Sequence, residues 1–182
     1  MAYFNSRDVA AIAVCSALWG VLNSTLSPIF FQVFHLPFLC DLIGFASLIL
    51  ALWWTRKFGT ATAVGLIATI INFLFRPDAY FFLGFTVASL VFDVFTRLLG
   101  YRNCFERALT GTVGLVLISV FSAAVAGSII GWIFPPPNLA SWGGVLGWAT
   151  LHAVGGVIGG IIGAPLTTAL TARGIPAATM HR

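Results

Sequence analysis

Apolar residues run along this chain in long unbroken stretches, with polar residues gathered into the short gaps between them. Such runs lack the period-two alternation of barrel strands and the one-sided stripe of a soluble helix. The stretches cover residues 9–26, 36–54, 59–75, 80–99, 108–134 and 142–170. A helix needs about 20 residues to cross about 30 Å of hydrocarbon, and only helices or closed barrels satisfy their backbone there. The pattern predicts a single all-α domain of six transmembrane helices. The third run is near the lower limit of length, and the last two are long enough to tilt. Ser27-Pro28 is expected to close the first helix, leaving the aromatic stretch 29–34 as a loop or an interfacial half-helix.

Composition agrees with this reading. Of 182 residues, 59 % are hydrophobic and 8 % are charged. A soluble domain carries about 25 % charged residues, so a cytosolic enzyme and a disordered chain are both excluded. Six spans leave no room for a soluble nucleotide-binding or catalytic domain. No cleavable signal segment is expected at the start.

The nine basic residues orient the spans. Arg7, Arg56, Lys57, Arg97, Arg102, Arg107, Arg173 and Arg182 fall on the side of the termini, and Arg76 falls on the other. The positive-inside rule then predicts that both termini are cytoplasmic, in a multi-pass protein of the cell membrane. Because these charges are scattered singly between apolar runs, the net charge of +4 does not suggest nucleic-acid binding. Cys15, Cys40 and Cys104 show no metal-ligand spacing and read as small apolar residues. No metal or cofactor motif is present in the sequence.

Topology assigns a depth to each polar side chain inside a span. Asn23, Asp41, Asn72 and His152 come from four helices and fall at a similar outer depth. Intramembrane polar and ionisable groups are costly and face a partner or a cavity. Their convergence predicts a pocket open to the outside. Trp19, Phe85, Trp132 and Trp148 are expected to supply aromatic walls for a planar ligand. Asp41 is a candidate partner for a cationic ring or an amine, with a helix-start cap as its other reading. Asn23 and Asn72 read also as interhelical hydrogen-bond partners. Asp93 lies four residues before Arg97, a spacing that predicts a local ion pair.

Small residues form seams. The sixth span carries two ridges, Gly155-Gly159-Gly163 and Gly156-Gly160-Ala164, enough to receive two neighbouring helices. The first carries Ala13 and Ala17 in its inner half, a candidate surface for another membrane protein.

The first span reads Arg7-Asp8-Val9-Ala10-Ala11-Ile12-Ala13-Val14-Cys15-Ser16-Ala17-Leu18-Trp19-Gly20, with its Ala-x-x-x-Ala seam. With the six-span architecture, it resembles the substrate-binding S-components of energy-coupling factor (ECF) transporters. The stretches Thr55-Arg56-Lys57-Phe58-Gly59-Thr60-Ala61-Thr62-Ala63 and Gly84-Phe85 to Asp93 look like the group that handles thiamine and hydroxymethylpyrimidine. The resemblance implies a vitamin-capture subunit of an ATP-driven uptake system. It implies docking through Ala13 and Ala17 onto a transmembrane coupling subunit served by two cytoplasmic ATPases. Metal-handling members begin Met-His, whereas this chain begins Met1-Ala2-Tyr3. Two other classes remain open at this point: a small membrane enzyme using Asp41 and His152, and an assembly factor whose aromatic wall faces lipid.

Overall fold

The computed structural model describes residues 3–175. Six long helices make an antiparallel bundle, and no strand occurs among the described residues. They are α1 (Ser6–Phe34), α2 (Phe38–Thr55), α3 (Thr60–Phe75), α4 (Leu83–Leu99), α6 (Ala108–Ile133) and α8 (Gly144–Ala172). A 3₁₀ turn, Tyr80–Phe82, leads directly into α4. Short helices α5 (Tyr101–Glu106) and α7 (Pro136–Leu139) occupy two of the connections. Five elements are long and apolar enough to span a membrane, and α3, at 16 residues, is the shorter sixth. Its length is about 24 Å at 1.5 Å per residue. The protein is therefore an all-α, multi-span membrane protein.

Two boundaries depart from the sequence expectation. The first helix does not stop at Ser27-Pro28 but runs on to Phe34, with Pro28 inside it. Proline removes one backbone hydrogen bond, a loss that neighbouring groups offset within membrane bundles. Phe31 then packs edge-on against Trp148, with ring centroids 6.2 Å apart, which holds the extension against α8. The connection after α4 is helical over Tyr101–Glu106 instead of a plain loop.

Helix packing closes a ring in the order α1, α3, α4, α6, α8, α2 and back to α1. The two glycine ridges of α8 face different neighbours. A Cβ added at Gly159 would lie 2.9 Å from the Asp41 carbonyl of α2, and one at Gly163 would lie 3.0 Å from Ala46 Cα. A Cβ at Gly156 would lie 2.7 Å from the Ser119 carbonyl of α6, and one at Gly160 would lie 2.8 Å from Val116 Cα. Close backbone approach is what drives association in lipid, where no hydrophobic term separates helix from solvent. The outer surface is correspondingly apolar, with Val14, Leu74, Leu98, Leu117 and Leu146 all more than half exposed.

The two ends of the bundle differ. At one end Asn5 and Asp8 form a reciprocal cap on α1. Lys57 Nζ donates to Asp8 Oδ2 at 2.7 Å. Arg56 donates to Glu106 at 2.7 Å, and Trp53 Nε1 donates to Thr171 Oγ1 at 3.1 Å. These contacts place the start of α1, the α2–α3 connection, α5 and the last turn of α8 at one end. That end carries Arg7, Arg56, Lys57, Arg97, Arg102, Arg107 and Arg173, while Arg76 lies at the other. Arg182 lies outside the described residues.

Asp93 and Arg97 do not pair. Asp93 Oδ2 instead accepts the backbone N–H of Thr62 at 3.0 Å and the Thr62 hydroxyl at 2.9 Å. Thr62 stands in the first turn of α3, whose leading N–H groups have no partner within their own helix. A carboxylate from α4 thus caps α3 from outside, where the helix dipole favours negative charge. The Arg97 guanidinium lies over the Phe58 ring, 5.2 Å from its centroid.

Candidate ligand cavity at the basic-poor end

A cavity of about 400 Å³ opens at the end that carries Arg76. All six long helices or their immediate flanks contribute to it. From α1 come Asn23, Ser27, Pro28, Phe31 and Gln32. Pro37 and Cys40 come from the start of α2, and Asn72 and Arg76 from the end of α3. Asp78, Ala79 and Phe81 form the rim between α3 and α4, and Phe85 stands on α4. Ile130 and Phe134 close the side formed by α6, and Trp148 and His152 stand on α8. Ten of these seventeen lining residues are apolar or aromatic and seven are polar or charged, an apolar wall with convergent polar groups such as small-molecule sites have.

The aromatic walls are linked to one another. Trp148 stands edge-on to His152 at 5.5 Å, to Phe134 at 5.9 Å and to Trp142 at 5.9 Å. Phe85 is edge-on to His152 at 5.6 Å and tilted against Phe82 at 5.1 Å. Such contacts hold the rings in fixed orientations.

Two buried polar pairs stand at the inner side of the cavity. Asn23 Nδ2 donates to Asn72 Oδ1 at 3.0 Å, tying α1 to α3. Ser24 Oγ donates to the same oxygen at 3.2 Å, and Ser27 Oγ donates to Asn23 Oδ1 at 3.0 Å. Asn72 Nδ2 donates back to the Ala68 carbonyl at 3.0 Å. The second pair is Asp41 and His152, with Oδ1 and Nδ1 3.0 Å apart. Asp41 is 0 % exposed and His152 is 2 % exposed. Asp41 fits there because α8 presents glycine: a Cβ at Gly155 would lie 2.7 Å from both Asp41 Cβ and Cγ. On the other flank, a Cβ at Gly127 of α6 would lie 2.8 Å from His152 Cβ.

The placement of the anticipated residues is therefore mixed. Asn23, Asn72, Phe85, Trp148 and His152 line the cavity. Asp41 does not stand at a mouth; it is fully buried behind His152 and makes no cap on α2. Trp19 is also buried behind the wall, tilted against Phe82 at 5.6 Å and edge-on to Phe85 at 5.9 Å. Trp132 is 81 % exposed on the outside of α6. Its depth along α6 matches the cavity, but its rotation about the helix axis turns it away. Ala13 and Ala17 are exposed on the outer face of α1. Cavity residues that the sequence did not single out include Ser27, Cys40 and Arg76. Arg76 had a signal, as the lone basic residue at its end. Among the described residues, no three His, Cys, Asp or Glu side chains gather where they would hold a metal ion.

No family model, curated protein or solved structure matches this chain.

Proposed function

We propose that the protein is the substrate-capture subunit of an ATP-driven uptake transporter, taking a small water-soluble heterocyclic vitamin or precursor from outside the cell membrane. The observation that carries this reading is the cavity. Its 400 Å³ suit a small ring system, its aromatic walls suit a flat one, and it opens at the end poor in basic residues. By the positive-inside rule that end faces outward. The exposed Ala13 and Ala17 lie on α1 nearer the basic end, away from the cavity. They supply a smooth strip on which a transmembrane coupling subunit can pack, with ATP hydrolysis carried by two cytoplasmic partner subunits. The resemblance to ECF S-components supports the same division of labour, and thiamine or hydroxymethylpyrimidine is the ligand group it suggests.

The test is mass spectrometry of small molecules that co-purify with the protein in detergent, together with thermal shifts across a vitamin panel. A bound heterocycle and a stabilising vitamin are expected; their joint absence would defeat the reading. Ala13→Trp with Ala17→Trp should abolish uptake and spare binding. The buried Asp41–His152 pair is what a small membrane enzyme would use for proton transfer. Substrate turnover lost in His152→Ala would favour that second reading.

A further inference from the structure

The inner amide oxygens of the cavity already accept from neighbours, Asn72 Oδ1 from Asn23 Nδ2 and Asn23 Oδ1 from Ser27 Oγ. Two buried ring nitrogens of its lining have no hydrogen-bond partner among the described residues, Trp148 Nε1 and His152 Nε2. Both rings line the cavity. Indole nitrogen only donates.

Asp41 and His152 share a hydrogen bond at Nδ1, and neither Asp41 Oδ2 nor His152 Nε2 has a partner among the described residues. Arg76 lines the same cavity, donates only, and makes no ion pair among the described residues. Ser27 Oγ keeps acceptor lone pairs inside, and Gln32 and Asp78 add acceptors at the exposed rim.

We infer that the ligand is a flat anion, a ring carrying a carboxylate, with an acceptor that meets the Trp148 N–H and a charge balanced by Arg76. This rests on the capture reading but departs from the ligand group the resemblance suggests, since thiamine is a cation and hydroxymethylpyrimidine carries no carboxylate. Asp41 is held by His152 and is not available to balance a cationic ring.

The experiment uses the full chain in detergent, with thermal shift and titration calorimetry. The probes are benzoate, benzamide and benzylamine, and the larger set indoleacetate, indoleacetamide and tryptamine. Within at least one set the acid should bind roughly ten- to a hundredfold more tightly than the amine, the range of a charge-assisted hydrogen bond. Arg76→Gln should erase the preference of acid over amide and leave amide affinity within about twofold. Trp148→Phe keeps the ring and removes the N–H, and should weaken acid and amide alike by roughly tenfold. An amine that binds tightest, three equal affinities, or no binding by any probe would each overturn the inference. The capture reading is decided separately by the co-purified molecule: a bound heterocyclic cation would sustain it while sinking the anion.

Discussion

His152 Nδ1 and Asp41 Oδ1 stand 3.0 Å apart, although 111 residues separate them in the chain, and both side chains are buried. Removing one partner leaves the other buried without its hydrogen bond, at a cost of about 1–3 kcal/mol. Asp41→Ala and His152→Ala should each lower the unfolding temperature in detergent. The double variant should lose less than the two losses summed, because contacting residues couple. Strict additivity in thermal unfolding would show that the pair does not act as a unit.

Asp93 acts as a cap supplied by a neighbouring helix. Asp93→Ala should cost about 0.5–2 kcal/mol, the range for losing a helix N-cap. Arg97→Gln should cost clearly less, since its guanidinium rests on Phe58 and does not hold the carboxylate. Equal losses for the two variants in thermal unfolding would restore the ion pair that their spacing suggests.

Gly155 provides the space that the Asp41 carboxyl fills. Gly155→Ala should destabilise by about 1–3 kcal/mol through overpacking. Its neighbour Val154 is 44 % exposed, and Val154→Ala should shift stability by less than about 0.5 kcal/mol. Comparable losses at both positions would mean that α2 and α8 can move apart freely.

Orientation is open to direct labelling. In a background lacking Cys15, Cys40 and Cys104, single cysteines at Asp78 and Arg102 occupy exposed positions at opposite ends. A membrane-impermeant maleimide added to intact cells should modify Asp78→Cys and leave Arg102→Cys unmodified until the membrane is broken. The reverse order would invert the protein and place the cavity mouth inside.

The spans were legible in the sequence because hydrocarbon thickness imposes length and apolarity on every helix that crosses it. Their ends were less so. Pro28 reads locally as a stop, yet the helix continues where Phe31 meets Trp148, a contact that no local rule contains. The six residues of α5 are too few to show a period. The site shows the same division. Depth brought Asn23, Asn72, Asp41 and His152 to one level, and the structure joins them as two pairs. Facing is a rotation about the helix axis, and near-uniform apolarity around each span leaves little signal for it. Trp132 therefore lies on the lipid side, and Asp41 lies behind the wall instead of in it. The Asp93–Arg97 spacing puts both residues on one helix face, yet no ion pair forms because α3 offers the carboxylate a better partner.

The glycine ridge of α8 carries a mechanical consequence. Glycines lying on a neighbouring backbone make a smooth contact, and a smooth contact does not say how far one helix has slid along the other. Asp41 and His152 do. Advancing α8 by one residue against α2 would carry the imidazole about 1.5 Å along the axis and swing it about a quarter-turn off its partner. The buried pair is thus a peg in a smooth rail, with the Trp53–Thr171 hydrogen bond a second peg at the far end. It fixes the height at which Trp148, one turn away on the same helix, presents its ring to the cavity.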